Sequence, residues 1–219
     1  MDAGPFVVDG IRTQKLHPWP VRIMHWINAA AIIVMIGSGL GIYNDSVIIQ
    51  GLHFPEYLVL GSWMAKNLQW HLAAMWVFML NGLAYLIYGI ATGRFRNKLF
   101  PITAGEIWET IRETMRLKLS HEDVTMYNAV QKTLYIVVIV AAVAQVVSGF
   151  AIWKPMQLSW LTDALGGFQI ARIIHLTGMA IIAGFLLVHV ALALLVPRTL
   201  WAMLSGGPKI TTRTVEAAR

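Results

Sequence analysis

The sequence predicts an all-α membrane protein, a four-transmembrane-helix bundle with an amphipathic surface helix. Three observations carry that expectation. Hydrophobic residues make up 57% of the 219-residue chain and charged residues only 13%, against about 45–50% and about 25% in soluble domains. Four apolar runs reach the roughly 20 residues that a helix needs to cross a hydrocarbon core. One further stretch separates charge and apolarity by face, as a helix lying on a membrane does. Backbone groups cannot stay unpaired in lipid, so the spanning runs are expected as helices.

The chain opens with MDAGPFVVDGIRTQKLHPWP, polar and carrying Asp2 and Asp9 before any apolar stretch. That is unlike a cleaved leader, so the first apolar run is expected to persist as a span. The four spans fall at about 21–43, 70–91, 128–153 and 172–196. SVIIQGLHFPEYLVLGSWMAKNLQ lies between the first two and is broken by Gly51, Pro55 and Gly61. It reads as an interfacial or re-entrant segment. Residues 103–119 form the surface helix: Thr103 and Glu106 fit a capping box, and Ile107, Ile111 and Met115 recur every four residues. Glu109, Arg112, Glu113 and Arg116 take the other faces, so the helix can lie on lipid or dock a partner. Residues 1–219 read as a single membrane-embedded domain.

The net charge is +6, but the basic residues follow loops and not a nucleic-acid face. Fourteen Lys and Arg fall before or at the start of span one, between spans two and three or at the start of span three, and after span four; only Lys66, Lys154 and Arg172 fall on the opposite side. The positive-inside rule then places both termini in the cytoplasm of a multi-pass protein of the bacterial inner (plasma) membrane. Trp26, Trp70, Trp153 and Trp201 sit near span ends, as interfacial aromatics do. With no cysteine present, disulfides, thiolate-held iron–sulfur clusters, Cys–zinc sites and covalently attached c-type haem are excluded.

Four of the seven histidines fall inside spans: His25, His71, His175 and His189. Ionisable groups at that depth are costly and mark function by default. His175 and His189 are fourteen residues apart, which advances a helix by about 1400° and about 21 Å, so both face one side at opposite leaflets. Alternating span direction places His71 level with His175 on the outer side and His25 level with His189 on the inner side. Each pair can supply two axial nitrogens to one iron, which leaves no open position and suits electron transfer by two haem b groups. Zinc fits less well, because no carboxylate lies near His71, His175 or His189 and there is no H-E-x-x-H. Gly37, Ser38, Gly39 and Gly41, Gly82 and Gly89, Ser148 and Gly149, and Gly178 and Gly184 make room either for haem faces or for plain helix packing. Arg22 and Arg172, each about one turn before a histidine, can pair with propionates at the two surfaces or serve only as snorkelling anchors. His17, His53 and His121 read as surface residues.

HPWPVRIMHWINAAAIIVMIGSGLGIYN resembles the opening helix of the bacterial cytochrome b561 family. That family includes the b-type cytochromes of nickel–iron hydrogenases and the gamma subunits of formate dehydrogenases. MYNAVQKTLYIVVIVAAVAQVVSGFAIW resembles the third helix of the formate dehydrogenase gamma type, and RIIHLTGMAIIAGFLLVHVAL the fourth with its two ligands. The likeness covers roughly residues 16–200. It implies haem ligation by the same four histidines and a quinone pocket beside the inner haem. There Asn128 would bind a quinone carbonyl, and Gln131 or Lys132 would relay protons. Val130 stands where the gamma subunits usually have glycine, which narrows or moves that pocket.

The function expected is a di-haem b-type cytochrome of a respiratory chain. It would pass electrons between a quinone pool and a periplasmic oxidoreductase such as a hydrogenase, a molybdenum enzyme or a cytochrome. The long outer loop, residues 44–69, is the expected docking surface, since a minimal bundle would not need it. Two rivals remain: a stand-alone superoxide:quinone oxidoreductase, its substrate drawn by Lys66, Lys154 or Arg172, and a haemless transporter or scaffold.

Overall fold

The computed structural model describes residues 8–15, 17–93, 105, 108, 112, 129–207 and 209–216. Four helices among them are long and apolar enough to cross a membrane: α1 (Trp19–Asp45), α2 (Met64–Ala91), α3 (Ala129–Trp153) and α5 (Phe168–Leu195). Two short helices follow on: α4 (Ser159–Ala164) between α3 and α5, and α6 (Pro197–Ser205) after α5. Pro197 ends the fourth span and opens α6 at the first helical position, where its missing N–H costs nothing.

The spans agree with the sequence reading except at their outer ends. α2 begins at Met64, six residues before the expected start, because Lys66, Asn67 and Gln69 lower the local apolarity without breaking the helix. α5 begins at Phe168, after Gly166 (φ 91°) and Gly167 (φ 97°). Those left-handed positions suit glycine alone and fold the chain sharply from α4 into α5. Of the surface helix, only Gly105, Trp108 and Arg112 are described, and they are helical and exposed; the rest of 103–119 lies outside the described residues.

The outer loop is held in place. Asn44 clasps Phe54 through Nδ2–H to its carbonyl (2.8 Å) and through Oδ1 from its N–H (2.9 Å). Tyr43 Oη accepts from the Ile49 N–H at 3.1 Å, and the Tyr43 ring packs on Phe54. After a 3-10 turn at Glu56–Leu58, the Leu60 N–H donates to the Gly37 carbonyl at 3.1 Å. Gly37 lies eight residues before the end of α1, so the chain dips back by about 12 Å along that helix. Gly61 N–H donates to Asn67 Oδ1 at 2.9 Å, and Asn67 is only 2% exposed.

The helices group as two hairpins. α1 packs along α2, and α3 packs along α5, whereas no pair of described helices from different hairpins shows comparable backbone approach. The two strands that flank the helices lie at one end: β1 (Val8–Lys15) pairs antiparallel with β2 (Lys209–Glu216), and the His17 N–H donates to the Gly206 carbonyl. This ribbon stands outside the helical bundle and was not expected from the sequence. Its second strand, KITTRTVE, is rich in the β-branched residues that favour pleated structure.

Candidate functional site

His25 comes six residues after the start of α1 and His189 six before the end of α5, so both lie at the end of the bundle next to the β1–β2 ribbon. His71 and His175 each come seven residues after the start of their helices, at the opposite end. The fold brings these four together as two pairs. The ring centroids of His25 and His189 are 6.0 Å apart, and those of His71 and His175 are 6.2 Å apart. Each pair joins one hairpin to the other, across the gap between them.

That separation has a chemical reading. A metal–imidazole bond of about 2.0 Å plus about 1.2 Å from nitrogen to ring centre would put two imidazoles that share one iron about 6.4 Å apart, centre to centre. Both pairs match it within a few tenths of an ångström. Close backbone packing is confined to each hairpin, so the two histidine couples bridge helices that are not otherwise packed closely together. Among the described residues no third His or carboxylate joins either pair to make a cluster that could hold a bare metal ion. The residues present therefore fit a haem better than an isolated cation.

The outer pair is buttressed in a way the sequence reading missed. Ser38 and Ser148 are both 0% exposed. Ser38 Oγ–H donates to the Val34 carbonyl at 2.7 Å, and Ser148 Oγ–H donates to the Ala144 carbonyl at 2.6 Å. The same oxygens lie 3.1 Å from His71 Nδ1 and 3.0 Å from His175 Nδ1. Next in sequence, Gly39 and Gly149 lie under the rings: a Cβ there would meet His71 Cε1 at 3.4 Å and His175 Cε1 at 3.3 Å. The signal in the sequence is a Ser-Gly dipeptide repeated in spans one and three, visible earlier only as small residues.

The inner pair has different neighbours. His25 meets Trp26 edge-on at 5.3 Å, and His189 stacks on Phe185 at 5.5 Å with 13° between planes. One turn along α1 from His25, Asn28 Oδ1 accepts from Asn81 Nδ2 at 2.7 Å, and Asn81 also donates to the Met24 carbonyl. This polar tie between α1 and α2 was another omission; asparagine within two apolar spans was its signal.

The remaining expected site residues have protein partners or lie beyond view. Arg22 Nε–H donates to the Met203 carbonyl at 3.1 Å, tying α1 to α6. Arg172 donates from Nη2 to the Ser46 carbonyl and, at 2.9 Å, to Ser46 Oγ, and from Nη1 to Gln169 Oε1. It thereby clamps the end of α1 to α5. Asn128 lies outside the described residues, and Gln131 and Lys132 are placed only as backbone at the start of α3.

Residues 16–206 match the family model described as prokaryotic cytochrome b561. A chain of Azospira oryzae that carries the provisional name protein-methionine-sulfoxide reductase subunit YedZ1 is 39% identical over 87% of this chain and 96% of its own length. Two chains provisionally named Ni/Fe-hydrogenase B-type cytochrome subunits are also similar. That of Cupriavidus necator is 23% identical over 84% of this chain and 80% of its own; that of Azotobacter vinelandii is 24% identical over 80% and 77%.

Proposed function

This chain belongs to the prokaryotic cytochrome b561 family of membrane b-type cytochromes, whose role is electron transfer, and from that premise we propose that it holds two haems b in series across the bilayer. The observation that carries the proposal is the pair of cross-hairpin histidine couples, 6.0 and 6.2 Å apart at opposite ends of the bundle. His71 and His175 would ligate the outer iron, and His25 and His189 the inner one. A haem bound in this way supplies a one-electron carrier with no open coordination position. The histidines fix each group at its depth, and the apolar helices exclude water between them. Arg22 and Arg172 keep further N–H groups beyond those already bonded, and each stands about a turn from a ligand in sequence, so each could pair with a propionate.

The fourteen-to-three division of basic residues supports termini on the cytoplasmic side and the His71–His175 pair toward the periplasm. A quinone would then exchange electrons at the His25–His189 end, with Asn128 as hydrogen-bond donor to a carbonyl oxygen. At the outer end, Tyr57, Trp63, Met156 and Trp160 are exposed on the connecting segments and the short α4 between the spans. They support docking of a periplasmic oxidoreductase there, of the kind that the relatives' names attach to those chains.

The test is haem content. The purified chain should carry two haems, and His175→Ala and His189→Ala should each carry one. A colourless parent, or two haems kept in both variants, would overturn the proposal.

A further inference from the structure

We infer that Ser38 and Ser148 are positioning residues that set the electron affinity of the outer haem through the imidazoles of His71 and His175. The inference rests on the reading that this pair ligates haem iron.

A hydroxyl has one proton and two lone pairs. In each serine the proton is committed to a carbonyl one turn back, Val34 at 2.7 Å or Ala144 at 2.6 Å. The oxygen can therefore only accept from the imidazole, so His71 and His175 must each present Nδ1–H. That tautomer frees Nε2 for the iron. The neighbouring glycines make the contact possible. With the ring edge lying directly over Gly39 or Gly149, Nδ1 comes within 3.1 or 3.0 Å of the hydroxyl.

The consequence is electronic as well as steric. An oxygen that already donates is a polarised and stronger acceptor. Accepting the Nδ1 proton makes the imidazole a more basic ligand, which favours ferric over ferrous iron and lowers the reduction potential. The same device acts on both outer ligands, from α1 onto α2 and from α3 onto α5. Among the described residues no hydrogen bond reaches His25 or His189, whose ring neighbours are Trp26 and Phe185. Two irons with identical ligands thus differ in the polar groups at their imidazoles: the Ser38 and Ser148 hydroxyls, with the Met35 and Gln145 backbone carbonyls beside them, act on the outer pair.

The experiment uses the full-length protein with Ser38→Ala, Ser148→Ala and the double variant. Each is also made in the His189→Ala background, so that one haem remains to be titrated. Haem content, a spectroelectrochemical midpoint and the low-spin EPR signal are recorded for each. The alanine variants should keep the outer haem with its potential shifted upward, more in the double variant, while the inner haem of the otherwise native chain stays unmoved. Ser38→Thr and Ser148→Thr, which keep the hydroxyl, should stay at the parental potential. Unmoved outer potentials, equal shifts in both haems, or threonine variants that shift like alanine would each overturn the inference. Should the alanine variants lose the outer haem, the threonine variants decide: retention at the parental potential supports it, and loss overturns it. A parent without haem overturns the proposed function and this inference together. Unmoved potentials in a two-haem parent overturn this inference alone.

Discussion

At single residues, the small side chains of the spans prove to have separate tasks that composition could not distinguish. Gly39 and Gly149 lie under histidine rings, Gly41 and Gly61 enclose Asn67, and Gly178 faces Gln145. In the sequence all but Gly61, which marked a break in the outer loop, read alike, as room for haem or for packing, because a missing side chain leaves no chemical mark of what fills the space. Gly39→Val and Gly149→Val should each displace one outer ring and cost one haem of two, read as halved haem absorbance per chain. The inner haem should persist, since those glycines stand far from His25 and His189 along their helices. Ring orientation makes a second expectation. The imidazole planes cross at 65° in the inner pair and 64° in the outer. Steeply crossed imidazoles pull nearly equally on the two iron d orbitals of π symmetry and leave them close in energy. Oxidised protein should therefore give strongly anisotropic low-spin EPR signals; two signals typical of parallel imidazole planes would contradict the pairing geometry.

Among the elements, the four spans were legible because lipid imposes length and apolarity on them, whereas the outer segments were read less completely. Gly51, Pro55 and Gly61 marked an interrupted path, and among the described residues the segment forms no fifth long apolar helix. The true start of α2 was hidden by Lys66 and Asn67, and α4 was missed because six residues carry too little periodicity to announce a helix. What orders the loop is tertiary: Asn67 is buried against Gly41 and accepts from Gly61. Asn67→Ala would strand the Gly61 N–H, a cost of about 1–3 kcal/mol where no water replaces the partner. Hydrogen exchange over residues 58–61 should accelerate in that variant while α1 and α2 stay protected. Gly61→Ala should go further. Its Cβ would collide with Asn67 Oδ1 and fall 2.9 Å from the Asn67 backbone nitrogen, and backbone cannot step aside as a side-chain tip can. Protection of the loop equal to that of the parent in both variants would remove Asn67 as its anchor.

Across the whole molecule, the depth pairing of the histidines followed from helix geometry alone, since span direction and a fourteen-residue spacing fix which rings share a level. The serine hydroxyls did not follow, because which face of α1 meets α2 depends on packing. Nor did the loose contact between hairpins, which no property of either hairpin's own sequence specifies. That looseness has an energetic consequence. With close backbone packing confined to α1 with α2 and α3 with α5, much of what joins the halves must come from groups lodged between them. Ligands that bind only the assembled state stabilise it by mass action, by about 2.7 kcal/mol at a hundred times the dissociation constant for each site. Protein produced without haem should thus melt at lower temperature in detergent, and stepwise haem addition should raise the midpoint in two increments. His71→Ala and His25→Ala should each abolish one increment. An apo-protein as stable as the loaded form would mean that the hairpins hold each other directly, and that the gap between them is bridged by something other than the cofactor.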